Sequence, residues 1–189
     1  QMTWEEFAQL AKKLTKGEGA EKQWGAYMVN WSYHFIAQTE GKSLLDDDLT
    51  PIKESLELLH RMYSVDKSSM SLEEQRATKS DWLAEFEKGN IAMMPMGEWF
   101  IGMIKPDEQA GKTNVKWEVA PQPVSDKANA GNTYGQGTFT AINKKTKFHD
   151  AAFDFLTFLC GKGGAEIIAS NGMIPGYNSP EVKDVFVKS

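Results

Sequence analysis

The chain has 189 residues, 41% apolar and 25% charged, which is enough for one good core or two small ones. A net charge of −5 leaves no basic stripe and argues against a nucleic-acid partner. The single cysteine, Cys160, rules out an internal disulfide and a zinc cluster, and no apolar run is long enough to span a bilayer.

Taken in order, Thr3 and Glu6 form a capping box, and Trp4, Phe7, Ala11 and Leu14 repeat at helical spacing up to a stop near Gly17. Residues 25–29 read as a short buried strand. Asn30-Trp31-Ser32 follows at once and opens a helix running to about Gly41. Asp46-Asp47-Asp48 lacks the alternating ligands and central Gly of a calcium loop and reads as a solvated turn. Thr50-Pro51 supplies a cap and a first-turn proline for a helix with Ile52, Leu56, Leu59 and Tyr63 on one face. Residues 64–79 show no period and read as a loop or loose helical passage. Ser80 is placed to cap a helix carrying Trp82, Leu83 and Phe86.

The stretch Phe86 to Ile104 is the organising piece. Gly89-Asn90 stops one helix, Ile91 to Met96 is a short strand ending at Pro95, and Gly97 turns the chain into a second helix. Glu98-Trp99-Phe100 then fall in that helix's first turn, where backbone N–H groups face outward. A Trp at such a junction is either a ligand shelf or a core plug. After Pro106 the pattern predicts a polar loop, then a strand over Val115 to Val119 closed by Pro121 and Pro123. Ser125 to Thr133 is a turn-rich loop, and Tyr134-Gly-Gln-Gly137 opens a strand to Ile142. Lys144 to Lys147 reads as a solvated turn. Phe148, Ala151, Ala152, Phe155 and Leu159, widened by Phe153 and Phe158, predict a buried helix that also hides Cys160. Gly161 to Gly164 breaks it before a helix over Ala165 to Asn171, and Ser179-Pro180 caps a last one. The alternation of short apolar runs with longer amphipathic ones predicts an α/β core.

Reaction chemistry is sparse. His34, His60 and His149 sit in separate elements without metal spacing, and the first two read as half-buried helix positions. Gly135-x-Gly137 precedes a strand, so it fails as a dinucleotide fingerprint, and Gly161-Lys-Gly-Gly164 lies between helices rather than in a phosphate loop. Neither a cofactor nor a metal is expected. A carboxylate pair whose members meet only in space stays open to sequence reading.

The ordered set TWEEFAQLAKKL, FEKGNIAMMPMGEW, YGQGTFTAINKKTK, DAAFDFLTFL and the final GMIP resembles the cluster 1 extracellular solute-binding proteins of carbohydrate ABC transporters, the group that includes maltose-binding protein. The resemblance covers nearly the whole chain. It implies a periplasmic-binding-protein type II-like lobe, a mixed sheet flanked by helices, in an incomplete two-lobe protein. By this comparison residues 1–137 are the second lobe, 138–175 cross to the first and 176–189 return, with most of the first lobe outside this sequence. The chain then reads as a piece of something longer, so missing targeting signals say little.

The implied function is an extracytoplasmic receptor that holds a sugar or oligosaccharide in an interlobe cleft and passes it to the permease subunits of an importer. The full-length protein would be a cell-surface lipoprotein or periplasmic. Carried over residue by residue, Trp99 and Trp31 match stacking aromatics. Asn30 and Glu98 are adjacent candidates for hydroxyl groups, and Tyr134 and Gln136 lie near the lobe crossing. The alternative is a carbohydrate-active hydrolase using Glu98 with another acid. If Trp31 and Trp99 each follow a strand of one sheet, both lie at its carboxyl edge. The apolar helix from Phe148 is expected to have lost a natural contact surface.

Overall fold

The computed structural model describes residues 1–78, 81–129 and 131–189. It divides into two compact units, residues 1–95 with 113–134, and residues 96–112 with 135–189.

The first unit is built on helix α1 (Trp4–Leu14). Its capping box is complete, with the Glu6 N–H donating to Thr3 Oγ1 at 3.1 Å and the Thr3 N–H to Glu6 Oε2 at 2.8 Å. Glu5 and Glu6 in the first turn and Lys12 and Lys13 in the last complement the helix dipole. Trp4, Phe7, Ala8 and Ala11 face the core. Residues 24–29 run extended beneath them, every one buried.

This extended run does not become a ladder. The Trp24 N–H donates to the Asn90 carbonyl at 2.7 Å and Ala92 donates back to Trp24 at 2.9 Å. Ala26 then donates to the Ser68 carbonyl and Tyr27 to that of Met93, each at 2.9 Å. In a regular strand Trp24 and Ala26 would face the same neighbour. The bend at Gly25 reverses the sides. Gly25 lies against α1 so closely that a Cβ there would stand 1.7 Å from the Ala11 carbonyl oxygen. Backbone contact with the helix therefore competes with sheet pairing, and the strand yields. Among the described residues the extended segments meet through isolated bridges only: Thr3 with Val124, Trp24 with Ile91 and Ala26 with Ser69 in parallel, and Lys16 with Gln23 antiparallel. The mixed sheet expected from the sequence is thus not formed here, and neither 115–119 nor 134–142 carries a bridge.

After a 3₁₀ turn at Ser32–His34 come α2 (Phe35–Thr39) and α3 (Thr50–His60). Thr50 is not the cap of α3 but its first residue, and its N–H donates to the Asp48 carboxylate at 3.0 Å. The buried face is Ile52, Ser55, Leu58 and Leu59, so Leu56, expected inside, is exposed. A π turn at Arg61–Val65 extends the helix and buries Met62. The passage 64–79 holds more order than its polarity suggested. Ser68, Ser69 and Met70 are buried, and α4 (Leu72–Thr78) follows. That helix opens on a reciprocal pair, the Ser71 N–H to Glu74 at 2.8 Å and the Glu74 N–H to Ser71 at 3.2 Å. Helix α5 (Trp82–Glu87) is capped by Asp81, whose carboxylate accepts from the Ala84 N–H at 2.9 Å. Ser80, the expected cap, lies outside the described residues. Gly89, at φ 75°, stops α5.

The second unit begins with α6 (Trp99–Gln109), which continues through Pro106 rather than ending there. Gly102 presses on the backbone at Asn171, since a Cβ would meet the Asn171 carbonyl oxygen at 2.6 Å. Helix α7 (His149–Cys160) has no buried residue, against the expectation of a buried helix. Cys160 closes it and is exposed, not hidden. Gly161 alone breaks the helix, and α8 (Lys162–Ser170) starts at once, earlier than the Gly-rich stretch implied. Helix α9 (Pro180–Lys188) is capped by Ser179 as expected. Ala165, Ala169 and Val182, with Val185 and Phe186 against them, join α8 to α9. No described helix is long and apolar enough to cross a membrane.

Candidate functional site

Three of the residues singled out in the sequence, Asn30, Trp31 and Tyr134, belong to the first unit; Glu98, Trp99 and Gln136 belong to the second.

Trp31 stands where the buried run 24–29 turns outward. The Ser32 N–H and Oγ–H both donate to the Val29 carbonyl, at 3.0 and 2.6 Å, and Ser32 is buried. The chain therefore leaves the core in a tight 3₁₀ turn, with Trp31 as its cap residue and Asn30 exposed beside it. Below the turn, the Tyr63 hydroxyl donates to the Met28 carbonyl at 2.5 Å and the Met28 N–H donates to Ser69 Oγ at 2.9 Å. Burial raises the Tyr63 phenol pKa. It also raises that of Tyr27 to about 12, with the Glu85 and Asp81 carboxylates adding to the shift. Both phenols are neutral near neutral pH; Tyr63 is a fixed hydrogen-bond donor and Tyr27 a buried packing group.

Trp31 keeps 37% of its surface. Its ring meets His34 in a stacked arrangement, centroids 6.4 Å apart, and Phe35 edge-on at 5.8 Å. Phe35 stacks in turn on Trp4 at 6.0 Å, and Trp4 meets Phe7 edge-on at 5.7 Å. A line of rings thus runs from the core to an indole that is more than one-third exposed. His34 is half-buried, and desolvation lowers its pKa.

Trp99 is half-buried at the first position of α6. Phe100 and Ile104 face inward, which leaves Trp99 and Met103, one turn apart, on the less buried side. The indole lies over Gly97, where a Cβ would fall 2.2 Å from Trp99 Nε1. Gly97 therefore makes room for the ring, while its backbone lies outside the left-handed region and the turn itself does not call for glycine. Glu98 is exposed and makes no side-chain cap for the helix. Neither tryptophan follows a regular strand, contrary to the sequence reading; each follows extended chain that pairs only through isolated bridges.

Tyr134 is 46% exposed and Gln136 is exposed, both in irregular chain. The Asn132 side chain donates to the Thr39 carbonyl at 3.0 Å, tying the loop before Tyr134 to the end of α2. Sequence reasoning missed His34 and Phe35 as neighbours of Trp31, because no residue pattern there separates a 3₁₀ turn, in which residues three apart eclipse, from the start of an ordinary helix.

A groove of about 400 Å³ in the first unit lies elsewhere, over Trp4, Ile36, Leu58 and Val124. Its rim is charged, yet Arg61 pairs with Glu5 at 2.6 Å and Lys127 with Glu54 at 2.7 Å. None of the six candidate residues lines it. Among the described residues no group of three or more His, Cys, Asp and Glu is placed to hold a metal ion.

The chain matches the family described as bacterial extracellular solute-binding protein over residues 1–183. It is also similar to the crystal structure of a sugar transporter from Rhizobium etli in an open conformation, with 28% identity and a TM-score of 0.68. That alignment covers 100% of this chain and 49% of the Rhizobium chain, so the present sequence spans about half the length of that relative. No curated protein matches.

Proposed function

We propose, from the premise that the chain belongs to the bacterial extracellular solute-binding proteins, that it is part of the receptor of an ABC importer and that its solute is a sugar or oligosaccharide. The receptor binds this solute in the cleft that the two lobes of the full-length protein enclose, and delivers it to the permease subunits. It acts by binding rather than by catalysis. In the full-length protein residues 1–137 belong to the second lobe, 138–175 cross to the first and 176–189 return. There the extended segments around residues 24–29 and 91–95 take their place in a mixed sheet. The full-length protein is held outside the cytoplasm, as a surface lipoprotein or in a periplasm.

The observation that carries the reading is the exposed, braced indole of Trp31. A pyranose face offers C–H groups to an aromatic ring, and its hydroxyls need a few fixed donors and acceptors. Trp31 and Trp99 supply flat apolar surface, with their chain neighbours Asn30 and Glu98 as polar candidates and Tyr134 and Gln136 as candidates near the lobe crossing. The relatedness to a protein described as a sugar transporter supports the solute class.

The test is a pair of single variants of the full-length receptor, Trp31→Ala and Trp99→Ala, measured by calorimetry for binding and by denaturant for folding. Loss of a stacking ring weakens saccharide binding by about 1–3 kcal/mol with little change in stability. If the rings are core plugs, each variant instead loses about 3–5 kcal/mol of stability. Unchanged affinity with collapsed stability overturns the proposal. Cleavage products on incubation with oligosaccharides would point to a hydrolase instead.

A further inference from the structure

We infer that His34 is a positioning residue for the Trp31 ring, a flat brace that holds the indole in one orientation before a ligand arrives; its consequence for saccharide affinity rests on the reading above. An exposed tryptophan turns about two side-chain torsions, and a ligand that stacks on it must first bear the entropy of fixing them. A ring fixed beforehand spares the ligand that loss, as rigid aromatic anchors do in other binding surfaces.

The local backbone supplies the brace. Trp31 and His34 are three residues apart across the 3₁₀ turn Ser32–His34, which has about 3.0 residues per turn and brings such side chains into line. Their ring planes differ by 23° at a centroid distance of 6.4 Å. Phe35 closes on Trp31 edge-on at an interplanar angle of 80°, and is itself fixed by its stack on the buried Trp4. His34 is held in turn between Tyr33, edge-on at 5.2 Å, and Phe35, edge-on at 5.3 Å. Both neighbours of His34 in sequence therefore clamp the imidazole, and the imidazole lies along the indole.

The chemistry suits a brace better than a proton carrier. Half-burial disfavours the imidazolium, so the ring that meets Trp31 is neutral near neutral pH. What Trp31 uses is the shape of the ring, and another flat apolar ring should serve. Phe35 is a core residue and would disturb folding if cut back; His34, being half-buried, can be replaced more cleanly.

The experiment uses the full-length receptor labelled with 5-fluorotryptophan, with the Trp31 fluorine resonance assigned from its absence in Trp31→Phe. His34→Ala should shift and broaden that resonance, and His34→Phe should restore it, while the denaturation midpoint moves little. A Trp31 resonance unchanged by His34→Ala overturns the inference. Should His34→Ala fail to fold, His34→Gln removes the flat ring while keeping bulk, and the same spectra decide. Binding is then measured by calorimetry with whichever of maltose, cellobiose, xylobiose and raffinose binds the parent. His34→Ala should weaken it by about 2- to 10-fold, the worth of one aromatic pair contact, with recovery in His34→Phe. If Trp31→Ala weakens binding and His34→Ala does not, the effect on affinity is refuted. If Trp31→Ala binds as the parent does, the sugar-platform reading fails while the fluorine spectra still decide the positioning role. If none of the four binds, the spectra again decide.

Discussion

Replacing Gly97 by Ala tests the Trp99 platform without touching the ring itself. The added Cβ would stand 2.2 Å from Trp99 Nε1 and 2.7 Å from Cδ1. An ordinary contact is about 3.5 Å, so the indole must retreat by more than about 1 Å. The atoms that yield belong to a half-buried side chain rather than to backbone. The fold should therefore lose only about 1 kcal/mol, the low end for overpacking. For a chain of this size that lowers the thermal midpoint by about 2–4 °C. A stacking ring displaced by that distance loses most of its contact with a pyranose, so affinity should fall by about 1–3 kcal/mol, roughly 5- to 150-fold. The assay is calorimetric titration of the full-length receptor with its saccharide, beside a thermal melt. Gly135→Ala is the control, because no atom lies within 4 Å of a Cβ built there. Unchanged affinity in Gly97→Ala, with a shifted tryptophan spectrum proving that the ring moved, would remove Trp99 from the site. A fall in the midpoint of about 10 °C or more would instead make Trp99 a member of the core.

Gly25→Ala presses on backbone instead, with its Cβ 1.7 Å from the Ala11 carbonyl oxygen; we expect a loss at or above the upper end of about 1–3 kcal/mol in denaturant unfolding, and a loss under about 0.5 kcal/mol would refute the close approach of α1. His34 has a folded-state pKa below its ordinary 6.5, so its share of stability is fully present above pH 6.5 and is lost as pH falls from there through the folded-state value. That part of the pH–stability profile should vanish in His34→Phe, and an identical profile in the variant would contradict the assigned burial. Glu5 behaves likewise lower down: the hydrogen bond from Arg61 holds its carboxyl below 4.5, so stability present above pH 4.5 declines as pH drops through the folded value, and Arg61→Met should flatten that limb. Helix α7 exposes Phe153, Phe155 and Phe158. The isolated 189-residue chain should therefore self-associate with rising concentration in sedimentation, less so in Phe155→Ser/Phe158→Ser, and a strictly monomeric chain at high concentration would refute this.

Helix ends were legible because their causes are local. The Thr3–Glu6 box, Ser179-Pro180 and the Gly89 stop are decided by residues within one turn. The same logic was available at Ser71 and Glu74 but was masked by the polarity around it. Strands were less legible. Residues 25–29 carry the apolar run of a buried strand and are buried, yet whether they pair into a ladder depends on how closely Gly25 approaches Ala11, a contact between positions 14 residues apart. Burial of α7 was misjudged because composition reports what a surface prefers, not whether the chain in hand covers it; Cys160 at its end followed the same error.

The candidate site divides along the same line. That Trp31 follows a buried run and opens a turn could be read from its neighbours; Gly97 was read as a turn glycine, whereas its φ lies outside the left-handed region and it is the Trp99 indole that fills the place of a Cβ. What surrounds each ring could not. Ser32 closes twice on the Val29 carbonyl and so fixes where the 3₁₀ turn Ser32–His34 begins; that turn, closed by the Phe35 N–H on the Ser32 carbonyl, sets His34 along Trp31 rather than a further sixth of a turn around. An α-helical start would advance about 100° per residue and place residues 31 and 34 some 60° apart. One serine hydroxyl thus helps to decide which side chain lies along the indole. A Ser32→Ala exchange should loosen the same Trp31 signal that His34→Ala perturbs, and the two effects should be less than additive, since both act on one ring. Independent, additive effects would mean that the turn and the brace are separate devices.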